Sequence, residues 1–201
     1  AAELDVTSFE EAARAVRRAV VRFGGLDLVV SNAGSASEGK LHTEAGDKAL
    51  RFSIELNLLG HQNVARAAAL AMIDQGRGGV LLFNASKSAF NQGPDFGPYA
   101  VPKTALLALM RQYAIDLAPH GIRAGAVNAD RIRTALFTPA FVEARAKARN
   151  VGVDEYFKAN LLRRETTADD VAGAFVYLAA AEATTGCVIT VDGGNAAAFP
   201  R

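Results

Sequence analysis

Leu26-Asp27-Leu28-Val29-Val30, running directly into Ser31-Asn32-Ala33-Gly34, decides the fold of this chain. The first five residues read as a short buried strand, and the small residues after them permit a tight turn, so a site can sit at the strand end. Upstream, residues 8–23 place Phe9, Ala12, Ala13, Val16, Val20 and Phe23 at helical spacing, with Ser8 as N-cap and Gly24-Gly25 as the stop. Downstream, a long helical pattern over 52–74 leads through Gly76-Arg77-Gly78-Gly79 into the strand Val80-Leu81-Leu82-Phe83. A helix over 97–118 then precedes a strand over 122–127. Two short helices are expected within 138–162, another helix over 168–181, and a last strand over 188–191 before Asp192-Gly193-Gly194.

Strands that alternate with helices, without hairpin signals, predict an α/β fold: a doubly wound parallel sheet covered on both faces. Ligands bind such sheets at the carboxyl ends of the strands, which gathers residues 32–34, 84–86 and 128–134 on one rim. The 201 residues are 50% apolar, the composition of one globular domain over 1–201. With 22 basic against 21 acidic residues, net charge +1, there is no electrostatic footprint for nucleic acid or an acidic membrane. The expected partner is a small molecule. Cys187, the one cysteine, has no partner for an internal disulfide, and no leader or apolar run of roughly 18–20 residues marks the chain for export or a bilayer. A cytoplasmic location is expected.

Tyr99 and Lys103 are four apart at the head of a predicted helix and share a face. A tyrosine ionises near pH 10, too high for a base near neutrality, but a cation about 4 Å away at an effective dielectric of ~20 offers ~4 kcal/mol, roughly 3 pKa units before desolvation opposes it. Pro102 between them is harmless only in a first turn, which places Tyr99 near the helix start. Ser86 follows the strand end thirteen residues before Tyr99, where a hydroxyl can hold a carbonyl oxygen. On spacing alone, a surface pair and a turn-forming serine are the commoner readings. His42, His61 and His120 lack metal-ligand spacing, so surface or helix-packing roles and no metal site are expected. Arg163-Arg164 reads as a solvated pair before a helix capped by Thr167. Arg131 and Arg133, nearer the rim, suit an anionic substrate or cofactor.

Together these pieces resemble the short-chain dehydrogenase/reductase family from Leu4 almost to the C-terminus. Asp5-Val6-Thr7 is similar to the end of its third strand, Asn32-Ala33-Gly34 to its N-A-G turn, and Asn57 in Asn57-Leu58-Leu59-Gly60 to its helix asparagine. Ser86 and Tyr99-Ala100-Val101-Pro102-Lys103 resemble its catalytic serine and Y-x-x-x-K motif, and Thr185-Gly186 through Val191-Asp192-Gly193-Gly194 its closing segment. The resemblance implies a Rossmann-like sheet, NAD or NADP as cofactor, and catalysis by Tyr99 as general acid/base. Lys103 would lower the Tyr99 pKa and bind the nicotinamide ribose, Ser86 would hold the substrate oxygen, and Asn57 would connect Lys103 to solvent. For Asn57 the plainer role is a helix-bend residue satisfying a backbone group. Asp5 and Val6 would contact adenine, Asn32, Ala33 and Gly34 the cofactor, and Ile132 and Thr134 the nicotinamide carboxamide.

The chain departs from the family pattern twice. Asn128-Ala129-Asp130 stands where Pro-Gly is usual, adding a charge and a stiffer backbone. The glycine-rich phosphate loop and the first two strands are absent, so an N-terminally incomplete sheet with a bare edge at strand 26–30 is expected. An insert at about 135–165, bearing Phe137, Phe141, Tyr156 and Phe157, suits a substrate lid or plain packing. That insert and the tail also resemble the dehydrogenase domain of fused sugar-phosphate aldolase/dehydrogenase proteins, which implies a small hydroxyaldehyde as substrate. A homo-dimer or homo-tetramer paired through helices 52–74 and 97–118 is expected. The competing functions are a non-catalytic cofactor-sensing or interaction module and, less well matched, a nucleotide-sugar epimerase or dehydratase.

Overall fold

Four parallel strands in the order β1-β2-β3-β4 form the sheet of the computed structural model, which describes residues 1–134 and 137–195. They are β1 (Leu28–Ser31), β2 (Gly79–Asn84), β3 (Ile122–Ala129) and β4 (Cys187–Val191). Sequence order equals spatial order because each crossover carries helix: α2 (Glu44–Ile54) and α3 (Gly60–Gln75) between β1 and β2, α4 (Gly97–Leu117) between β2 and β3, and α5 (Pro139–Lys147), α6 (Val153–Lys158) and α7 (Ala168–Ala180) between β3 and β4. α1 (Phe9–Phe23) precedes the sheet. The parallel α/β reading holds, and each strand's carboxyl end points to one rim. Residues 135–136, where the lid insert was expected to begin, and 196–201, the end of the expected domain, lie outside the described residues.

One face of the sheet packs Leu81, Phe83 and Ile122 against Met72 of α3 and Leu106 and Met110 of α4, with Val16 of α1 at the margin. The other face packs Val80, Leu82 and Val127 against Leu178 of α7. The caps follow the sequence: Ser8 accepts from the Glu11 N–H, and Thr167 with Asp170 closes a capping box at α7. Gly24 ends α1 in the left-handed region at φ 79°.

Three expectations need correction. The helix predicted over 52–74 starts at Glu44 and is interrupted by a π-turn at Glu55–Leu59, one widened turn that seats the buried Asn57. β1 is not buried on both faces: Leu28 and Val30 are each 42% exposed, because among the described residues no helix covers that side of the edge strand. Residues 1–5 form no strand. An extended segment becomes a strand only by sharing hydrogen bonds with a neighbour, and here the first segment has none to pair with. Among the described residues β1 is the edge of the sheet, as expected.

Candidate active site

β2 delivers Asn84 to the rim, after which Ser86 takes an extended conformation (φ −160°, ψ 151°) and caps a short turn over Lys87–Ala89 by accepting the Ser88 N–H at 3.2 Å. The Thr104 hydroxyl, one turn past Tyr99, reaches the Ala89 carbonyl at 3.0 Å and the Ala100 carbonyl at 2.9 Å, tying that turn to α4. Ser86 is thereby held beside Tyr99 on the same cavity wall. Tyr99 is the third residue of α4, near its start as expected. Pro102, expected within the first turn, lies past it, so the Pro98 carbonyl receives no N–H from it. Ser86, Tyr99, Ile132 and Thr134 share a cavity of about 470 Å3.

Lys103 is 3% exposed and donates to the Asn84 carbonyl at 2.8 Å. Its Nζ also lies 3.4 Å from His61 Nε2, and His61 Nδ1 lies 2.7 Å from the Ser31 hydroxyl. With Lys103 donating on both contacts, Nε2 accepts and the Nδ1–H donates to Ser31. Burial pushes Lys103 down to about 7, and burial together with the Lys103 charge pushes His61 down to about 3. Lys103 was expected to lower the Tyr99 pKa. Instead burial raises it, opposed only by the neighbouring Ser86 hydroxyl, because Lys103 Nζ sits 5.8 Å from the centre of the Tyr99 ring and is engaged by Asn84 and His61. Tyr99 is therefore held as a phenol, a proton donor.

Asn57 is fully buried and serves the backbone: it accepts the Ser35 N–H at 3.2 Å and donates to the Ser35 carbonyl at 2.9 Å and the Ser53 hydroxyl at 2.8 Å. This is the helix-bend role. A methyl group at Gly34 would lie 2.7 Å from Asn57 Oδ1 and 3.7 Å from Lys103 Nζ, so both groups face the space above Gly34. His61, set aside by the sequence reading, is the residue in contact with Lys103. One signal could have found it: His61 follows Asn57 by four, and so repeats its helix face one turn on.

For a dinucleotide the residues fit in part. Asn32, Ala33 and Gly34 are exposed at the β1 end, where the Asn32 side chain accepts from Asn84 at 2.6 Å. Asn84 Oδ1, on the cavity wall, is buried without a hydrogen-bond partner, an acceptor suited to a ligand donor. Asn32, Asn84, Tyr99, Ile132 and Thr134 thus frame a space fit for the nicotinamide half. No three-glycine loop faces this space among the described residues. Asp5 and Val6 do not line the cavity: the Asp5 carboxylate accepts from Thr7, and the Val6 carbonyl accepts from Asn63, at the start of α1. Asp130 is neutralised by Lys87 and Arg131 and accepts from the Asn195 amide. Arg131 lines the cavity, whereas Arg133 is bound to Asp154 and Glu165. Arg164 pairs with Asp170 in the solvated manner expected.

Val142, Ala146, Tyr156 and Phe157 form a small core of their own in the 135–165 insert. From it Phe137, Phe141 and Tyr156 face the cavity. The same insert thus packs on itself and lines part of the cavity. No group of three potential metal ligands occurs among the described residues, and no helix there is long and apolar enough to cross a membrane.

The family model described as Enoyl-(Acyl carrier protein) reductase matches residues 1–196. The chain belongs to the short-chain dehydrogenase/reductase family of oxidoreductases. Across its whole length it is 34% identical to an uncharacterized oxidoreductase of Bacillus subtilis, of which it spans 30%. It is also 34% identical, over 96% of its length, to an uncharacterized NAD-dependent oxidoreductase of Mycobacterium tuberculosis, of which it spans 71%. Carveol dehydrogenase from Mycobacterium avium, solved in complex with NAD, superposes with a TM-score of 0.86 at 27% identity, covering 97% of this chain and 74% of that one.

Proposed function

We propose that this short-chain dehydrogenase/reductase domain interconverts a small alcohol and its carbonyl compound with NAD or NADP, using Tyr99 as general acid/base. The observation that carries the reading is that Ser86 and Tyr99 stand together on the wall of one cavity, with Lys103, one helical turn from Tyr99, buried behind them. When bound, the nicotinamide supplies or accepts the hydride. The chain's residues do the rest. Ser86 Oγ orients the substrate oxygen. Tyr99, kept protonated by burial, donates its phenolic proton to that oxygen in reduction and takes it back in oxidation. Lys103 Nζ, with two of its donor positions directed at Asn84 and His61, turns the remaining one toward the ribose side. Asn57 fixes the 34–35 loop that borders this space. Asn32, Ala33, Gly34, Ile132 and Thr134 receive the nicotinamide half, and Asp5 and Val6 keep their proposed adenine contacts.

The NAD of both the mycobacterial oxidoreductase and the carveol dehydrogenase supports the cofactor class. The match to 30% of the Bacillus relative's length supports reading the chain as one domain of a longer fused protein. Leu70 on α3 and Val101 and Ile115 on α4 are exposed apolar side chains that suit pairing of these helices in a dimer or tetramer.

The test is NADH- and NADPH-dependent reduction of a panel of small aldehydes and ketones by wild type and Tyr99→Phe. Loss of one proton donor should lower kcat at least ~100-fold with an unchanged thermal unfolding curve. Equal turnover in the two proteins would remove Tyr99 from the mechanism.

A further inference from the structure

Beside Ser86 the cavity wall carries more positive charge than its own carboxylates neutralise. Lys87, Arg131, Arg145 and Arg149 all line it. Set against them are Asp130, 3.8 Å from Lys87 Nζ and 3.6 Å from Arg131 Nε, and Glu38, 3.0 Å from an Arg145 terminal nitrogen. Two carboxylates therefore face four cations. The deficit shows at individual atoms. Arg145 Nε is buried with no hydrogen-bond partner, and a buried donor left unmatched is disfavoured unless something fills the gap. Lys87 and Arg149 are both pushed down, chiefly by burial; at Lys87 Asp130 opposes this and the neighbouring arginines add smaller downward pushes, and at Arg149 Arg145 is the next largest downward push.

The wall is also built rather than accidental. Arg131 donates to the Tyr156 carbonyl at 2.7 Å and lies over the Tyr156 ring at 4.6 Å, and Arg145 lies over the Phe96 ring at 4.9 Å. Arg149 donates to the Arg145 carbonyl at 3.1 Å and stands over the same Tyr156 ring at 5.5 Å. Aromatic faces and backbone carbonyls hold the guanidinium groups in place without adding negative charge, so Asp130 and Glu38 alone offset them among the described residues. Arg133, two residues from Arg131, shows the contrast: its charge is taken up by Asp154 and Glu165 at 2.6 and 2.7 Å.

We propose that Lys87, Arg131, Arg145 and Arg149 form a subsite for an anionic oxygen group, carboxylate or phosphate, carried by the substrate that reacts beside Tyr99. The proposal rests on the oxidoreductase reading and narrows it to small hydroxy- or oxo-acids or phosphate esters. The scale is set by the chain itself, since Lys87 directly follows the serine that holds the reacting oxygen.

Two matched pairs test it at fixed ionic strength: acetoacetate against methyl acetoacetate, and dihydroxyacetone phosphate against dihydroxyacetone. Each is assayed with NADH and NADPH in wild type, Lys87→Gln and Arg149→Gln. The anionic member of at least one pair should show kcat/KM about tenfold or more above its neutral match, the order of one charge-assisted hydrogen bond, and both variants should bring that ratio toward one. The favoured pair tells carboxylate from phosphate. Ratios at or below one in both pairs, or a ratio unmoved in both variants, would overturn the proposal. Thermal unfolding with inorganic phosphate or acetoacetate, without cofactor and against equal chloride, separates the two readings. Stabilisation of wild type that the variants lose, without turnover of any carbonyl compound, supports the anion site while sinking the oxidoreductase reading. Neither stabilisation nor a ratio above one sinks the site.

Discussion

Replacing Lys103 by Met should stabilise the fold at mildly acidic pH and lose that advantage as the pH rises. The ammonium is 3% exposed and has no carboxylate against it among the described residues, so burial lowers its pKa from 10.5 to about 7. The difference corresponds to about 5 kcal/mol by which folding disfavours the charged amine. The sign follows from proton counting. Below pH 7 folded and unfolded chains both hold the proton, and the full penalty is present. Between about 7 and 10.5 the unfolded chain keeps a proton that the folded one has released, so wild-type stability rises by roughly 1.4 kcal/mol per pH unit. Above 10.5 both forms are neutral. Methionine preserves an unbranched apolar side chain but leaves the Asn84 carbonyl without this donor, an offset of about 1–3 kcal/mol that does not vary with pH. Urea unfolding of both proteins at about pH 6, 8 and 10 measures the difference. Relative to wild type, the variant should lose roughly 4 kcal/mol between pH 7 and 10. Parallel pH profiles would refute the account, because they would mean that Lys103 does not titrate in this window.

His61→Gln should remove part of the acid sensitivity. The folded-state value of about 3 lies below the unfolded 6.5, so the stability that neutral His61 contributes is present above pH 6.5 and is lost as pH falls through 3. The acid-unfolding midpoint, followed by circular dichroism, should move to lower pH in the variant, and an unmoved midpoint would contradict the buried neutral ring. Gly34→Ala places a methyl 2.7 Å from Asn57 Oδ1 and forces the 34–35 loop away from Lys103. KM for the nicotinamide cofactor should rise roughly tenfold or more with little change in melting temperature, and an unaltered KM would free Gly34 from the site.

Element type and order were legible because they rest on local chemistry. Capping residues, left-handed glycines and apolar periodicity placed α1, β2, α4 and α7 within a few residues of their observed bounds. The Ser86, Tyr99 and Lys103 constellation was legible for a similar reason, since strand ends share a rim and residues four apart share a helix face. The π-turn was not, because widening one helical turn depends on Asn57 finding Ser35 across a loop.

What the sequence determined by itself was therefore the alternation of strand and helix and the identity of the groups brought to the rim. The tertiary structure alone decided their electrostatic state. Burial, with no carboxylate facing the lysine among the described residues, drives Lys103 down and Tyr99 up, and the packing of α3 on α4 sets His61 against the lysine. It also decided which arginines keep their charge available. Arg131 and Arg133 look equivalent two residues apart, but one faces the cavity and shares the single carboxylate of Asp130 with Lys87, while the other meets both Asp154 and Glu165, because a pKa and a charge balance depend on the neighbours that folding assembles from distant parts of the chain.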